Sequence, residues 1–187
     1  MEVIDLSLHD TEYKNVGYTH TRLIARGFVL NEENKICLLH IVGDDDFGHR
    51  DYYETPGGGV EDGEGLREAL IRELDEEIGY ECKILSYLGV VYDEYNLIKR
   101  KNVNNYFLCS IVKKTKPHHV SYGDSFIEEI CFFDIEEAIQ KYEAMNKNMV
   151  QKLVYNREYP ILKKIKQILK DSDLKWKNVL LIKNYMK

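Results

Sequence analysis

The order of apolar and polar runs predicts an α/β fold, a mixed sheet with helices on its faces. Three observations carry this expectation. Residues 22–30 and 36–41 are strand-like runs joined by the polar loop 31–35, which reads as a hairpin connection. The stretch Leu66–Ile78 contains neither Gly nor Pro, follows a glycine loop and stops at Gly79, as a helix does. Further strand-like runs then lead to a capped helix at Asp134 and an amphipathic stretch beyond Pro160.

Residues 1–16 are polar and mixed, and suit either an arm or an edge strand. Segment 43–51 reads as a loop whose consecutive acids Asp44, Asp45 and Asp46 suit a solvated turn. It feeds a short strand, Tyr52-Tyr53-Glu54, and then the glycine loop. His49 and Arg50 precede that strand, which makes them candidates for contacting a phosphate. Segments 82–92 and 103–112 read as strands around a turn with a basic tip at 93–102. Tyr95, in that turn, is a candidate for stacking a base. A short strand at 129–133 precedes Asp134, which caps a helix from Ile135 to about Met145, with Glu137 completing a capping box. Pro160 is expected to start the last helix, where Ile161, Leu162, Ile165, Ile168 and Leu169 form an apolar stripe. Residues 146–187 are expected to pack on the domain or on a dimer mate, and the apolar segment 174–187 to dock with them.

A chain of 187 residues, 44% hydrophobic, suits one domain with a sizeable core. Its net charge of −6 argues against nucleic acid as a bulk electrostatic partner. A small phosphorylated substrate remains open, because a metal can bridge two negative partners. Cys37, Cys82, Cys109 and Cys131 form no CxxC pair and lie in apolar runs, as buried reduced thiols do. The N-terminus lacks a basic start before an apolar run, and no run approaches membrane-spanning length. The expectation is a cytoplasmic protein without a membrane partner.

The helix 66–78 carries an unusual load of acid. Glu73, Glu76 and Glu77 share one face, since positions i, i+3 and i+4 are helical neighbours. Leu70, Ile71, Leu74 and Ile78 occupy the adjoining arc and can anchor the helix to a core. Like charges at this spacing repel. A divalent cation would reverse that penalty, and an all-oxygen donor set suits a hard ion such as Mg2+ or Mn2+.

Gly58, Glu64 and the run Arg72-Glu73-Leu74-Asp75-Glu76-Glu77-Ile78-Gly79-Tyr80 resemble the complete signature of the Nudix hydrolases. Tyr80 stands where a smaller aliphatic residue is usual. The resemblance implies an α/β/α sandwich over residues 17–145, preceded by the arm and followed by a C-terminal helical extension. It also implies hydrolysis of a nucleoside diphosphate derivative, with water attacking phosphorus. Glu73, Glu76, Glu77 and the Gly57 carbonyl would hold Mg2+ or Mn2+, with Glu64 and Arg72 as the supporting pair. The general base would be one of these acids or a downstream carboxylate, for which Asp124, Glu128 and Glu129 are the candidates. Two alternatives are a catalytically silent domain that binds a nucleotide or a protein, and the isoprenoid diphosphate isomerase branch of the same fold. A nucleotide sugar such as ADP-ribose, or a nucleoside triphosphate, ranks ahead of capped RNA because the chain lacks a broad basic surface.

Overall fold

The computed structural model describes residues 3–118 and 123–185, with side chains to residue 170. The elements in order are β1 (Ile4–Ser7), β2 (His20–Leu30), β3 (Ile36–Asp45), β4 (Gly48–Glu54), β5 (Gly57–Gly59), α1 (Leu66–Ile78), β6 (Tyr80–Tyr95), β7 (Arg100–Lys114), β8 (Ile127–Phe133), α2 (Ile135–Ala144) and α3 (Met149–Tyr185). The strands form one mixed sheet in the order β1-β6-β7-β2-β3-β4, with β5 pairing β2 and β8 pairing β3.

The edge-strand reading of the N-terminal arm holds for Ile4–Ser7, which runs parallel to β6 with Leu6 opposite Val91. Loop 31–35 closes the β2–β3 hairpin, where the Asn31 side chain accepts the Glu33 and Lys35 amides. Segment 43–51 differs from expectation. It forms the arms of a second hairpin, pairing Gly43 with Arg50, Asp44 with His49 and Asp45 with Gly48. Asp45 makes that turn possible, because its carboxylate accepts both the Phe47 amide and the Arg50 guanidinium. Gly48 completes it at φ +94°, where a side chain would be strained. The turn expected over 93–102 shrinks to a 3-10 turn at Asn96–Ile98, because β6 and β7 stay paired to Tyr95 and Arg100.

Successive strand residues point to opposite faces, and β2 shows this clearly. On one face, a side chain at Gly27 would press on Leu70 and Leu74 of α1. On the other, Arg26 lies opposite Tyr106, whose hydroxyl reaches Glu158 of α3. The sheet is therefore sandwiched between α1 and the α2–α3 pair, which is the α/β architecture expected. Asp134 caps α2 with Glu137 in the expected box.

Pro160 does not start the last helix. It lies inside α3, which already begins at Met149. The part of α3 before Pro160 carries the buried Val150, Leu153 and Val154, and so packs before the proline is reached. Ile161, Leu162 and Ile165 are fully buried within the chain, and Ile168 and Leu169 pack partly against the same core. The side chains of segment 174–187 lie outside the described residues.

Candidate active site

α1 is bounded by Gly65, whose N–H donates to the Glu68 carboxylate, and by Gly79 at φ +67° and ψ 43°. Only glycine adopts that left-handed stop without strain. Leu70, Leu74 and Ile78 are buried against the core. With that face fixed, Arg72, Glu73 and Glu77 reach the glycine strand β5, and Glu76 reaches Arg72.

Arg72 is the hub of the cluster. Its Nε and Nη2 donate to the two oxygens of Glu64, each at 2.9 Å, a fork that lysine could not make. Nη2 also donates to the Gly59 carbonyl at 3.0 Å. Nη1 donates to Glu73 at 2.9 Å and to Glu76 at 3.2 Å. Glu77 turns the other way and accepts the Gly57 amide at 2.6 Å. A side chain on Gly58 would collide with the Glu73 carboxylate, so this glycine permits a close approach and is not mere flexibility.

Electrostatics follow from these contacts. The Arg72 fork, helped by the Glu61 amide, holds the Glu64 carboxyl below its ordinary value. Burial raises Glu73, against the opposing effect of Arg72. Burial raises Glu77 further, opposed by the Gly57 amide and reinforced by the charge of Glu73.

The three helix acids thus share a face but not a single point. Repulsion is relieved separately, by Arg72 for Glu73 and Glu76 and by a backbone amide for Glu77. Among the described residues, no group of three or more His, Cys, Asp or Glu side chains is gathered tightly enough to hold a metal ion. The donors are nonetheless all oxygens, which fits a hard divalent cation.

The other candidates have surroundings of their own. Arg50 binds Asp45 and the Tyr52 hydroxyl and lies against Phe47 and Phe126. His49 is exposed and paired with Asp44. Tyr95 is buried, with its hydroxyl accepting from Arg157 at 2.8 Å and its ring against Phe47, so its faces are already covered. Asp124 is buried in a 3-10 turn at Gly123–Phe126, whereas Glu128 and Glu129 stand exposed on β8.

Sequence reasoning missed two arginines of β2. A side chain on Gly59 would meet the Arg22 guanidinium, and Arg22 acts favourably on both Glu73 and Glu77. Arg26 donates to the Thr55 carbonyl at 3.0 Å and lies 3.6 Å from Glu54. Their signal was present in the sequence: two arginines four residues apart in a strand share a face, and stand out in an otherwise apolar run.

The family model for the NUDIX domain matches residues 20–153, well over half of the chain. The chain belongs to the Nudix family. It is 27% identical over 161 residues to an ADP-ribose pyrophosphatase of Methanocaldococcus jannaschii, covering 86% of this chain and 78% of that protein. It is 34% identical over 92 residues to a methanol dehydrogenase activator of Bacillus methanolicus, covering 46% of this chain and 48% of that protein. The chain therefore spans most of the first relative but about half of the second. Among solved structures, a MutT protein from Methanosarcina mazei superposes with a TM-score of 0.58 at 18% identity, covering 84% of this chain and 99% of that one. A UDP-X diphosphatase superposes at 0.54 and 20% identity, covering 81% of this chain and 65% of that one. These likenesses confirm the fold.

Proposed function

We propose that this Nudix pyrophosphohydrolase cleaves the diphosphate linkage of a small nucleoside diphosphate derivative, ADP-ribose or a nucleoside triphosphate, and depends on Mg2+ or Mn2+. The observation that carries the reading is the Arg72 hub, which gathers Glu64, Glu73 and Glu76 beside the Gly57–Glu77 contact. Similarity to an ADP-ribose pyrophosphatase over most of both chains supports the substrate class.

Glu73, Glu76, Glu77 and the Gly57 carbonyl would hold the ion. When bound, it neutralises the diphosphate and lowers the pKa of a coordinated water. The chain's own part is to orient and to move a proton. Glu64 fixes Arg72, and Arg72 keeps Glu73 and Glu76 from swinging into solvent. Arg22, beside Gly59, is placed to meet charge developing on phosphoryl oxygens. The proton of the attacking water passes to a box carboxylate or to one of Asp124, Glu128 and Glu129.

The isomerase alternative needs a reactive cysteine. Burial pushes the Cys82 thiol to about 12 and the Cys131 thiol to about 11, which leaves both as poor nucleophiles. A silent binding domain would not need every box acid, and all are present. Neither nucleic acid nor membrane enters this reading; among the described residues, no helix is long and apolar enough to cross a membrane. The reading places the enzyme in the cytoplasm. Burial of Ile161, Leu162 and Ile165 within the chain supports packing of this part of the C-terminal extension on its own domain over a dimer mate.

Phosphate or nucleotide release should be measured with Mg2+ and with Mn2+ on ADP-ribose, nucleoside triphosphates, capped RNA and isopentenyl diphosphate. Turnover of the first two supports the reading. Hydrolysis of capped RNA alone, or full activity in a chelator, would overturn it.

A further inference from the structure

The glycine strand β5 has no side chains with which to pack itself into place. It pairs with β2 only at Ile24, Ala25 and Arg26, and three successive glycines are entropically expensive to hold still. Something outside must fix it. The segment leading into it, Thr55-Pro56-Gly57, is held at every backbone group the structure pairs. Gly27 donates to the Pro56 carbonyl at 3.0 Å, Arg26 to the Thr55 carbonyl, and Gly57 to Glu77. The remaining tether comes from far along the chain: the Thr55 amide donates to Glu158 Oε2 at 2.8 Å.

Glu158 is on α3, beyond residue 153 where the family match ends. It is completely buried, as is Thr55, and Arg157 beside it is 1% exposed. Its Oε2 also accepts the Tyr142 hydroxyl at 2.6 Å. Its Oε1 accepts the Tyr106 hydroxyl at 3.2 Å and Arg157 Nη2 at 2.9 Å. Arg157 is itself held by Glu54 at 3.1 Å and by the Tyr95 hydroxyl. A buried carboxylate is costly unless paired and hydrogen-bonded, and this one is paired on both oxygens. Such a network is rigid, and the backbone amide it binds, that of Thr55, lies two residues before the Gly57 amide that Glu77 binds.

We infer that Glu158 is a positioning residue for the reaction: through the Thr55 amide it sets the glycine strand, and so the Gly57–Glu77 geometry, from the C-terminal helix. The inference rests on the metal-dependent reading above. Its effect is expected on metal binding and on kcat more than on KM, because it acts on the carboxylate and carbonyl donors.

Two variants separate reach from charge. Glu158→Asp keeps the negative charge for Arg157 and Arg26 but withdraws the oxygen from Thr55. Glu158→Gln keeps the reach and loses the charge. Leu162→Ala, a buried apolar change on the same helix, controls for general loosening. The measurements are Mn2+ binding by electron paramagnetic resonance, hydrogen exchange of the Gly57 amide by NMR, kcat and KM on ADP-ribose, and Tm. Glu158→Asp should weaken Mn2+ binding about tenfold or more, speed Gly57 exchange and lower kcat with KM little changed. Glu158→Gln should keep Gly57 protection closer to that of the parent. Leu162→Ala should lower Tm while Mn2+ binding and Gly57 exchange stay parental. Parental Mn2+ binding and Gly57 exchange in Glu158→Asp would overturn the inference, and so would equal damage from Leu162→Ala. If Glu158→Asp does not fold, Tyr142→Phe removes a bond to the same oxygen; faster Gly57 exchange supports the tether, and unchanged exchange overturns it. If the parent binds no Mn2+, the metal-dependent reading fails, and Gly57 exchange alone decides the tether.

Discussion

The Glu77 carboxylate accepts a hydrogen bond from the Gly57 amide, N to O 2.6 Å, so one side chain joins the last turn of α1 to the first residue of β5. A glutamine has an oxygen that can accept the same amide but carries no charge. Glu77→Gln should therefore fold like the parent and fail in catalysis, losing about 100-fold or more in rate, the scale for a principal electrostatic or acid–base group. Single-turnover hydrolysis with saturating Mg2+ checks this, and near-parental turnover would remove Glu77 from the mechanism.

The same burial gives a pH signature. Glu77 and Glu73 titrate above the ordinary 4.5 when folded, so the native state binds their protons more tightly than the unfolded chain. Their contribution to stability is full below 4.5 and is lost as pH rises through the raised folded values. Glu158 runs the other way. Burial alone would raise it, but Arg157 and Arg26 hold it below 4.5, so its contribution is lost as pH falls. Denaturation of the metal-free protein at pH values from 4.5 upward should show a declining component that Glu77→Gln flattens. Equal slopes for parent and variant would contradict the assignment.

Gly58→Ala tests the close approach at the strand. The added methyl would drive into the Glu73 carboxylate, displacing an acid that Arg72 holds. A misplacement of about 1 Å can cost roughly 100-fold in rate. We expect a loss of that order in kcat with circular dichroism unchanged; parental kcat would show that Glu73 can yield without consequence.

Arg157→Met should be among the most destabilising changes in the chain. It leaves Glu158, Glu54 and Asp93 without a cation that is 1% exposed, and breaking a buried pair costs about 3–5 kcal/mol. Adding Glu158→Gln to it should recover part of the loss. Urea denaturation of both single variants and the double variant measures the coupling, and strict additivity would argue against a shared network.

The parts of the site legible in sequence are those whose signals are local. Helix α1 carried a glycine entry, a glycine stop and an apolar arc of Leu70, Leu74 and Ile78, so its acids could be assigned to one face. The 43–51 hairpin was hidden because its outward residues Asp44 and His49 are polar and exposed, and an edge strand with such a face looks like a loop. Pro160 misled because a proline that suits a first helical turn can also sit within a helix whose core contacts come earlier. Arg157 and Glu158 fall before Pro160, outside the helix the sequence suggests, and nothing local marks them as buried. Only the fold brings Glu54, Asp93, Tyr106 and Tyr142 around them, and none of these lies within helical spacing of the pair.

The parallel pairing of β2 with β7, from His20 opposite Arg100 to Leu30 opposite Ser110, has a consequence for the chain as it is made. β2 leaves the ribosome well before β7, so its partner along the whole of one edge is then still untranslated. Non-local parallel pairing forms slowly, and until β7 arrives that edge of β2 is open to other chains. The glycine strand hangs on the opposite edge of β2, and its tether to Glu158 arrives later still. The nascent protein therefore carries its acidic helix well before it can hold the strand that helix works against, and competence comes only once α3 has been synthesised and has packed.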